Sequence, residues 1–292
     1  MLVTIGLPVY NSADTVVHTI RSIFAQTLSD WELIIVDDGS TDDSLAIAAS
    51  VRDDRVRVCH DGLNLGLPAR LNQISNLARG TYLARMDADD LMHPERLEAQ
   101  VAYIEAHPDV HVVDTSAYLL DETGTTTVAL GLRPQESSPS AALRASILIH
   151  PCVMARTEWF RQNPYDPAYR RAQDHELWCR VFRTTRFGRV RRPLLFKRDL
   201  ETFTLEKYLS SSRTDLRIIR RFGPELVGWP RTLILTVMLL AKGELYRLAT
   251  ALGHERLLIR KRYERLPPAD AAAARLALAA IHATAIPGID SV

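Results

Sequence analysis

Thr81-Tyr82-Leu83-Ala84-Arg85-Met86-Asp87-Ala88-Asp89-Asp90-Leu91 runs from an apolar strand directly into three carboxylates within four residues. Negative charge crowded at a strand end needs either full solvation or a bound cation. The stretch also points to a fold class, because in open α/β sheets ligands collect outside the carboxyl ends of the strands.

Outward from this stretch the same rhythm repeats. Residues 3–7 read as a first strand, and Ser12 is placed to cap a helix whose apolar positions, Val16, Val17, Ile20, Ile23 and Phe24, keep helical spacing. Residues 31–36 form a near-continuous apolar run, as expected of a strand covered on both faces. Ser40-Thr41-Asp42-Asp43 offers the cap of a second helix. Residues 56–59 make a short strand and 67–79 a helix closed by Gly80 at its C′ position. Residues 81–86 are the fourth strand, and Pro94 opens a helix to about His107. Alternation of this kind, with right-handed crossovers, gives an α/β fold with a doubly wound, mainly parallel sheet.

Four polar clusters fall at the strand ends: Pro8-Val9-Tyr10-Asn11, Asp37-Asp38-Gly39-Ser40, the segment 60–66, and Asp87-Ala88-Asp89-Asp90. The fold brings them to one rim. Past Val113 the pattern loosens. Residues 121–140 read as loop or lid, 150–156 as a strand, 174–185 as a helix and 187–196 as a basic strand or hairpin. From 204 onward everything reads helical, broken at Gly223-Pro224, Trp229-Pro230 and Pro267-Pro268.

Composition narrows the class. With 47% apolar residues over 292, a sizeable core is available and global disorder is excluded. Cys59, Cys152 and Cys179 are too few and scattered for a disulfide framework or a metal cage, which suits a reducing compartment. The first eight residues read as a strand rather than a signal peptide. The longest apolar stretch, 233–241, is about half of what a bilayer span needs. Net charge hides an asymmetry: residues 1–130 carry 20 acidic and 8 basic side chains, the remainder 15 and 28. The two halves are therefore expected to meet different partners.

Each motif has a structural reading beside a functional one. Asp37-Asp38-Gly39-Ser40 is ordinary turn chemistry with a good cap. Beside Tyr10 it also offers what a nucleobase needs, a ring to stack on and an acceptor for a ring N–H. Asp87-Ala88-Asp89-Asp90 is either a solvated turn or a set of oxygen ligands suited to Mg²⁺ or Mn²⁺, ions that also bind phosphate oxygens. Asp174 reads as a helix N-cap on its own segment, and His150 as a loop residue.

Taken in order, Pro8-Val9-Tyr10-Asn11, Val36-Asp37-Asp38-Gly39-Ser40-Thr41-Asp42, Asn64-Leu65-Gly66, Asp87-Ala88-Asp89-Asp90 and Gln173-Asp174-His175-Glu176-Leu177-Trp178 closely resemble the family 2 inverting glycosyltransferases of GT-A fold. The resemblance covers roughly residues 1–200. It implies a GT-A catalytic domain there, with 201–292 left as a C-terminal helical extension. It also implies a cytoplasmic enzyme that moves one sugar from a nucleotide-diphosphate sugar, most often a UDP-sugar, to a hydroxyl of a glycan or lipid-linked acceptor. By motif match, Pro8, Tyr10 and Asn11 line the base pocket, Asp38 accepts from the base, Arg70 adds a nucleotide contact, and Asp87 holds the ribose. Asp89 binds Mn²⁺ or Mg²⁺, and Asp174 is the catalytic base. Gln173 departs from the family, where an acidic residue is usual. No Gln-x-x-Arg-Trp segment of the processive synthases is present, so single transfer is expected.

Two rivals remain at this point. A non-catalytic nucleotide-sugar-binding protein would share the same pocket. A phosphatase of the haloacid dehalogenase type also uses Asp-x-Asp after a strand, but Leu91 stands where it wants Thr or Val. A dinucleotide dehydrogenase is excluded, since 7–13 contains no glycine. Nothing in the sequence suggests nucleic acid as a partner. In the C-terminal part, residues 204–265 hold 13 basic and 6 acidic residues interleaved with Trp229, Leu233, Ile234, Val237, Leu240 and Tyr246. Two readings stand open: helices packed on the catalytic domain or a partner subunit with their charges solvated, or helices lying on the inner membrane face as a peripheral anchor.

Overall fold

The computed structural model describes residues 1–121, 126, 128–134, 136–198, 205–252 and 264–290. β1 (Val3–Val9), β2 (Trp31–Asp37), β3 (Val56–Cys59) and β4 (Tyr82–Arg85) lie parallel in the order β3-β2-β1-β4. β1 and β2 are buried at every residue because helices cover both sheet faces. On one face α1 (Val16–Phe24) packs Ile20 and Ile23 against Ile5 and Leu7, and α2 (Ser44–Ser50) adds Ala48. On the other, α3 (Leu67–Leu77) packs Leu71 and Ile74 against Ile34 and Val36.

The chain then leaves the parallel pattern. β5 (Leu91–Met92), α4 (Arg96–Ala106), β6 (Val112–Leu120), β7 (Val128–Leu130), α5 (Pro139–Arg144), β8 (Met154–Arg156), α6 (Thr157–Gln162), α7 (Gln173–Val181) and β9 (Phe187–Arg198) follow in order. β8 enters antiparallel between β4 and β6, and β9 runs parallel to β6. β9 also pairs antiparallel with β5, placing Leu91 opposite Phe196. That register sets Lys197 and Arg198 against the acidic turn.

α8 (Leu205–Val227) and α9 (Trp229–Ala251) form a helical pair, with α8 inward: its Ile218, Ile219 and Phe222 join the core that contains Trp178. β10 (Glu264–Arg265) pairs with β7, and α10 (Pro268–Ala283) packs Ala274, Leu278 and Ile281 on Tyr118 and Phe196. The tail returns to the first core: Ile286 is buried there, and Arg21 donates to Thr284 O (3.0 Å) and pairs with Asp290 (2.9 Å). So the described part of the extension is helical as expected except for β10, and its end is built into the core of the N-terminal half.

Several local expectations change. Ser12 does not cap α1 by its side chain; its carbonyl accepts from Thr15 and Val16 N–H, and its hydroxyl bonds Tyr10 O. α2 starts at Ser44, and Asp42 receives Ser44 N–H (3.1 Å) and Ala13 N–H (2.9 Å). Gly80 is not in a left-handed conformation. It is needed because a Cβ there would stand 2.5 Å from Thr4 N. Residues 150–152 form one 3₁₀ turn before β8 rather than the start of a strand. Parts of the 121–140 loop and residues 253–263 lie outside the described residues.

Candidate active site

The carboxyl ends of β1, β2 and β4 meet at one rim, and the chemistry begins with the turn after β4. Oxygens of Asp87, Asp89 and Asp90 all lie within 4.8 Å of one another. α1 holds the turn's backbone: Thr15 Oγ1 donates to Ala88 O (2.8 Å), Thr19 Oγ1 to Ala88 O and Asp90 O (2.9 and 2.8 Å), and Ser22 Oγ accepts Met92 N–H (2.9 Å). Three polar residues on an otherwise apolar helix face thus place the carboxylates.

The charge crowding has a partial answer within the chain. Buried Arg85 forks onto Asp87 (Nη1 to Oδ2, 2.7 Å). Fully buried Arg96 lies beneath, donating to Arg85 O (2.8 Å) and Gln100 Oε1 (2.9 Å). Burial lowers its guanidinium to about 10, and Asp90 and Asp87 pull the other way. Lys197, set beside the turn by the β5–β9 register, faces all three carboxylates. Burial opposes its charge, but Asp90, Asp87 and Asp89 outweigh this and raise its pKa.

The compensation is incomplete. Burial pushes Asp90 up to about 7, with Lys197 opposing and Asp87 and Asp89 adding to the rise. Its Oδ1 accepts Arg198 N–H (3.0 Å), while Oδ2 is buried without a partner among the described residues. Asp89 is exposed at the rim, and its carboxyl is likewise raised, by the surrounding protein and then by Asp87. Three clustered oxygen donors, one of them buried and unpartnered, fit a hard divalent cation such as Mg²⁺ or Mn²⁺.

The base-side residues divide into contacts and supports. Tyr10 exposes its ring (51%), while Pro8 is buried in β1 opposite Val36. Asn11, with φ 46°, joins two rim loops: its Oδ1 accepts Thr41 N–H (2.8 Å) and its N–H donates to Ser40 Oγ (3.0 Å). Asp38 Oδ1 accepts from Leu65 N (2.8 Å) and Arg70 Nε (2.8 Å), and Oδ2 from Gly66 N (3.0 Å). A lone pair on Oδ2 stays available. Arg70, expected at the nucleotide, is 1% exposed and directs every N–H into the chain: to Asp38, both oxygens of Asp61, Gln73 and Leu63 O. It is a support for the 61–66 loop.

Asp174 is carried by α7. It is the second residue of that helix, not its cap; the cap is Ala172 at φ 55°. The half-buried Asp174 carboxylate makes no hydrogen bond or ion pair among the described residues. Burial raises the Tyr165 phenol, Arg85 opposes, and the charges of Asp174 and Asp87 both add to the rise, so both carboxylates bear on one buried hydroxyl. Tyr165 shares a 2.9 Å hydrogen bond with His150, which burial and Arg85 keep neutral. Gln173 is buried beside Asp174, while Glu176 is buried and paired with Arg180 (3.0 Å).

The family model described as glycosyl transferase family 2 matches residues 4–163, more than half of the chain. The chain belongs to this family. The EpsE protein of Bacillus subtilis (strain 168) is 35% identical over 186 residues, 62% of this chain and 66% of that protein. Thus the chain aligns with just under two thirds of that relative's length. S. aureus TarS residues 1–349, solved with UDP-GlcNAc, superposes with a TM-score of 0.59 at 19% identity, covering 75% of this chain and 66% of that one. The mannosyltransferase PcManGT of Pyrobaculum calidifontis, solved with GDP-Man and Mn²⁺, gives 0.60 at 16% identity over 96% and 84%. These likenesses establish the α/β GT-A fold expected from the motifs.

Arg85, Arg96, Lys197, Tyr165 and the Thr15–Thr19–Ser22 set were not singled out in the sequence. Only Arg85, inside the decisive stretch, carried a local signal, a cation two residues before Asp87. The others meet the turn through contacts between distant segments.

Proposed function

We propose that this family 2 protein transfers a single sugar from a nucleotide-diphosphate sugar to an acceptor hydroxyl, with inversion, in the synthesis of a cell-surface polysaccharide or glycoconjugate. The observation that carries this reading is the pairing of two features on one sheet rim: the Asp87, Asp89 and Asp90 oxygens within 4.8 Å of one another, and the half-buried Asp174 carboxylate, which has no partner among the described residues. A free carboxylate as base and a separate set of oxygen donors for the leaving group are what a single displacement requires.

Tyr10 stacks the base, with Asp38 Oδ2 accepting its ring N–H; a uridine diphosphate sugar suits this pair. Asp87, oriented by Arg85, takes the ribose hydroxyls. Asp89 with Asp90 would hold Mn²⁺ or Mg²⁺, which when bound offsets charge on the departing diphosphate. Lys197 adds a fixed positive charge on the same side. Asp174 removes the acceptor hydroxyl proton as its oxygen attacks the anomeric carbon, opposite the leaving group. One base on one face gives inversion. TarS with UDP-GlcNAc and PcManGT with GDP-Man and Mn²⁺ support a nucleotide-sugar donor and a divalent ion.

Incubation with a panel of UDP- and GDP-sugars, Mn²⁺ and a hydroxyl acceptor or water tests this by release of the nucleoside diphosphate. Release by the wild type that is lost in Asp174→Asn, with donor binding kept, supports the enzyme. Equal donor binding by both proteins without any release would favour the binding-protein reading.

A further inference from the structure

We infer that α9 is a membrane-docking helix that lies in the surface of an anionic leaflet. The inference does not rest on the proposed reaction. α9 uses one side, with Thr232, Leu235 and Gly243, to pack on α8; Tyr208 and Tyr246 stack across the pair at 4.1 Å. The other side is apolar and exposed: Trp229 (74%), Leu233 (65%), Ile234 (57%), Val237 (56%), Met238 (57%) and Leu240 (50%). At about 100° per residue these positions sweep roughly half the helix circumference. That is far wider than the seam two packed helices share.

The charges choose the occupant. Residues 232–241 contain no charged side chain, and the cations Arg231, Lys242 and Arg247 stand at the two ends of that run. Glu244, the one acid on the helix, is paired with Arg247 (2.5 Å). Long basic side chains can extend from such an edge to headgroups while the apolar arc sinks among acyl chains. Trp229 at the helix start suits the same boundary. α8 exposes Arg213, Arg217 and Arg220 at helical spacing. Residues 205–252 hold eight basic and four acidic side chains, so a second copy of this surface would be repelled where an anionic leaflet is attracted. Among the described residues no helix is long and apolar enough to cross a membrane, and the geometry is that of a helix lying in the surface. His175 and Asp215 (3.0 Å) link this helical pair to α7.

Flotation of the full chain with vesicles of phosphatidylcholine alone, or mixed with phosphatidylglycerol, at low and high salt tests the inference. Binding is expected to the anionic vesicles and to weaken with salt. It should be accompanied by a blue shift in tryptophan emission, since Trp31, Trp159 and Trp178 are already buried. Leu233→Glu with Val237→Glu, both at exposed positions, should abolish binding while circular dichroism stays unchanged. Each of Arg231→Gln, Lys242→Gln and Arg247→Gln should cost up to about fivefold in partitioning. Absence of flotation with either vesicle, or equal binding to both, overturns the inference. So does a stable dimer in light scattering that the same Glu substitutions dissociate.

Discussion

His175 Nδ1 stands 3.0 Å from Asp215 Oδ1, and its Nε2 stands 2.7 Å from Ala142 O. Both ring nitrogens face acceptors, so the doubly protonated imidazolium fits this niche and the neutral ring does not. Through this contact the helix carrying Asp174 is tied to the helical extension, one residue from the proposed base.

The contact sets a pH dependence. Burial disfavours the His175 charge, but the hydrogen bond to Asp215 and its charge, with neighbouring Cys179 adding, outweigh it and raise the ring to about 10. A raised pKa means the stabilisation is fully present below the unfolded value near 6.5 and is lost as pH climbs toward about 10. Asp215→Asn is expected to cost roughly 1–3 kcal/mol at pH 6, the range for a buried group left poorly paired. The loss should shrink toward pH 10. Urea unfolding at both pH values measures it, and parallel pH profiles for the two proteins would refute the assignment.

Arg70 should behave as a support rather than as a nucleotide contact. Arg70→Ala leaves Asp38 buried without its cation, so the ligand-free protein is expected to lose roughly 3–5 kcal/mol. A residue that only touched nucleotide would leave ligand-free stability unchanged while weakening binding. Thermal or chemical unfolding without ligand separates the two.

At the acidic turn, Asp89→Ala is expected to abolish Mn²⁺ binding and turnover with the fold intact, and Asp87→Ala chiefly to weaken nucleotide binding. Mn²⁺ titration followed by paramagnetic resonance reads the first effect without relying on turnover. Full activity in excess chelator would contradict metal use.

Asp174→Asn preserves size and removes the base. Donor affinity should persist while the rate falls by roughly 10²–10⁴, the usual span for general base catalysis. Unchanged turnover would leave Asp174 with no catalytic role.

The legible part of this protein is what one element says about itself. β1, β2 and β4 could be read because a strand covered on both faces is apolar throughout. The carboxylates were visible because a turn bearing three of them is unusual on its own. What balances them was not visible. Arg96 looks like any polar residue in the first turn of α4, and only the folded chain shows it fully buried against Arg85 O. Thr19 lies 71 residues from the Asp90 carbonyl it holds. Periodicity reports which face of an element is buried, not which distant element it meets. For the same reason the two C-terminal readings could not be separated: α8 packs inward while α9 packs one side and exposes the other, though both are apolar and basic.

Lys197 shows how such a distant contact can be tested. It reaches the turn only through the pairing of Leu91 with Phe196. Among the described residues no carboxylate comes within 4.0 Å of its ammonium, yet its charge faces Asp87, Asp89 and Asp90. Lys197→Gln removes a positive charge that repels a second cation, so Mn²⁺ affinity is expected to rise by roughly tenfold. The same change removes a partner for the diphosphate, so UDP affinity measured in chelator should fall. With saturating Mn²⁺ the loss in UDP affinity should be smaller, because the ion carries most of the positive charge. Opposite movement of the two affinities is the signature of a fixed cation at the diphosphate site. A lysine that only packed the end of β9 would change stability and leave both affinities where they were.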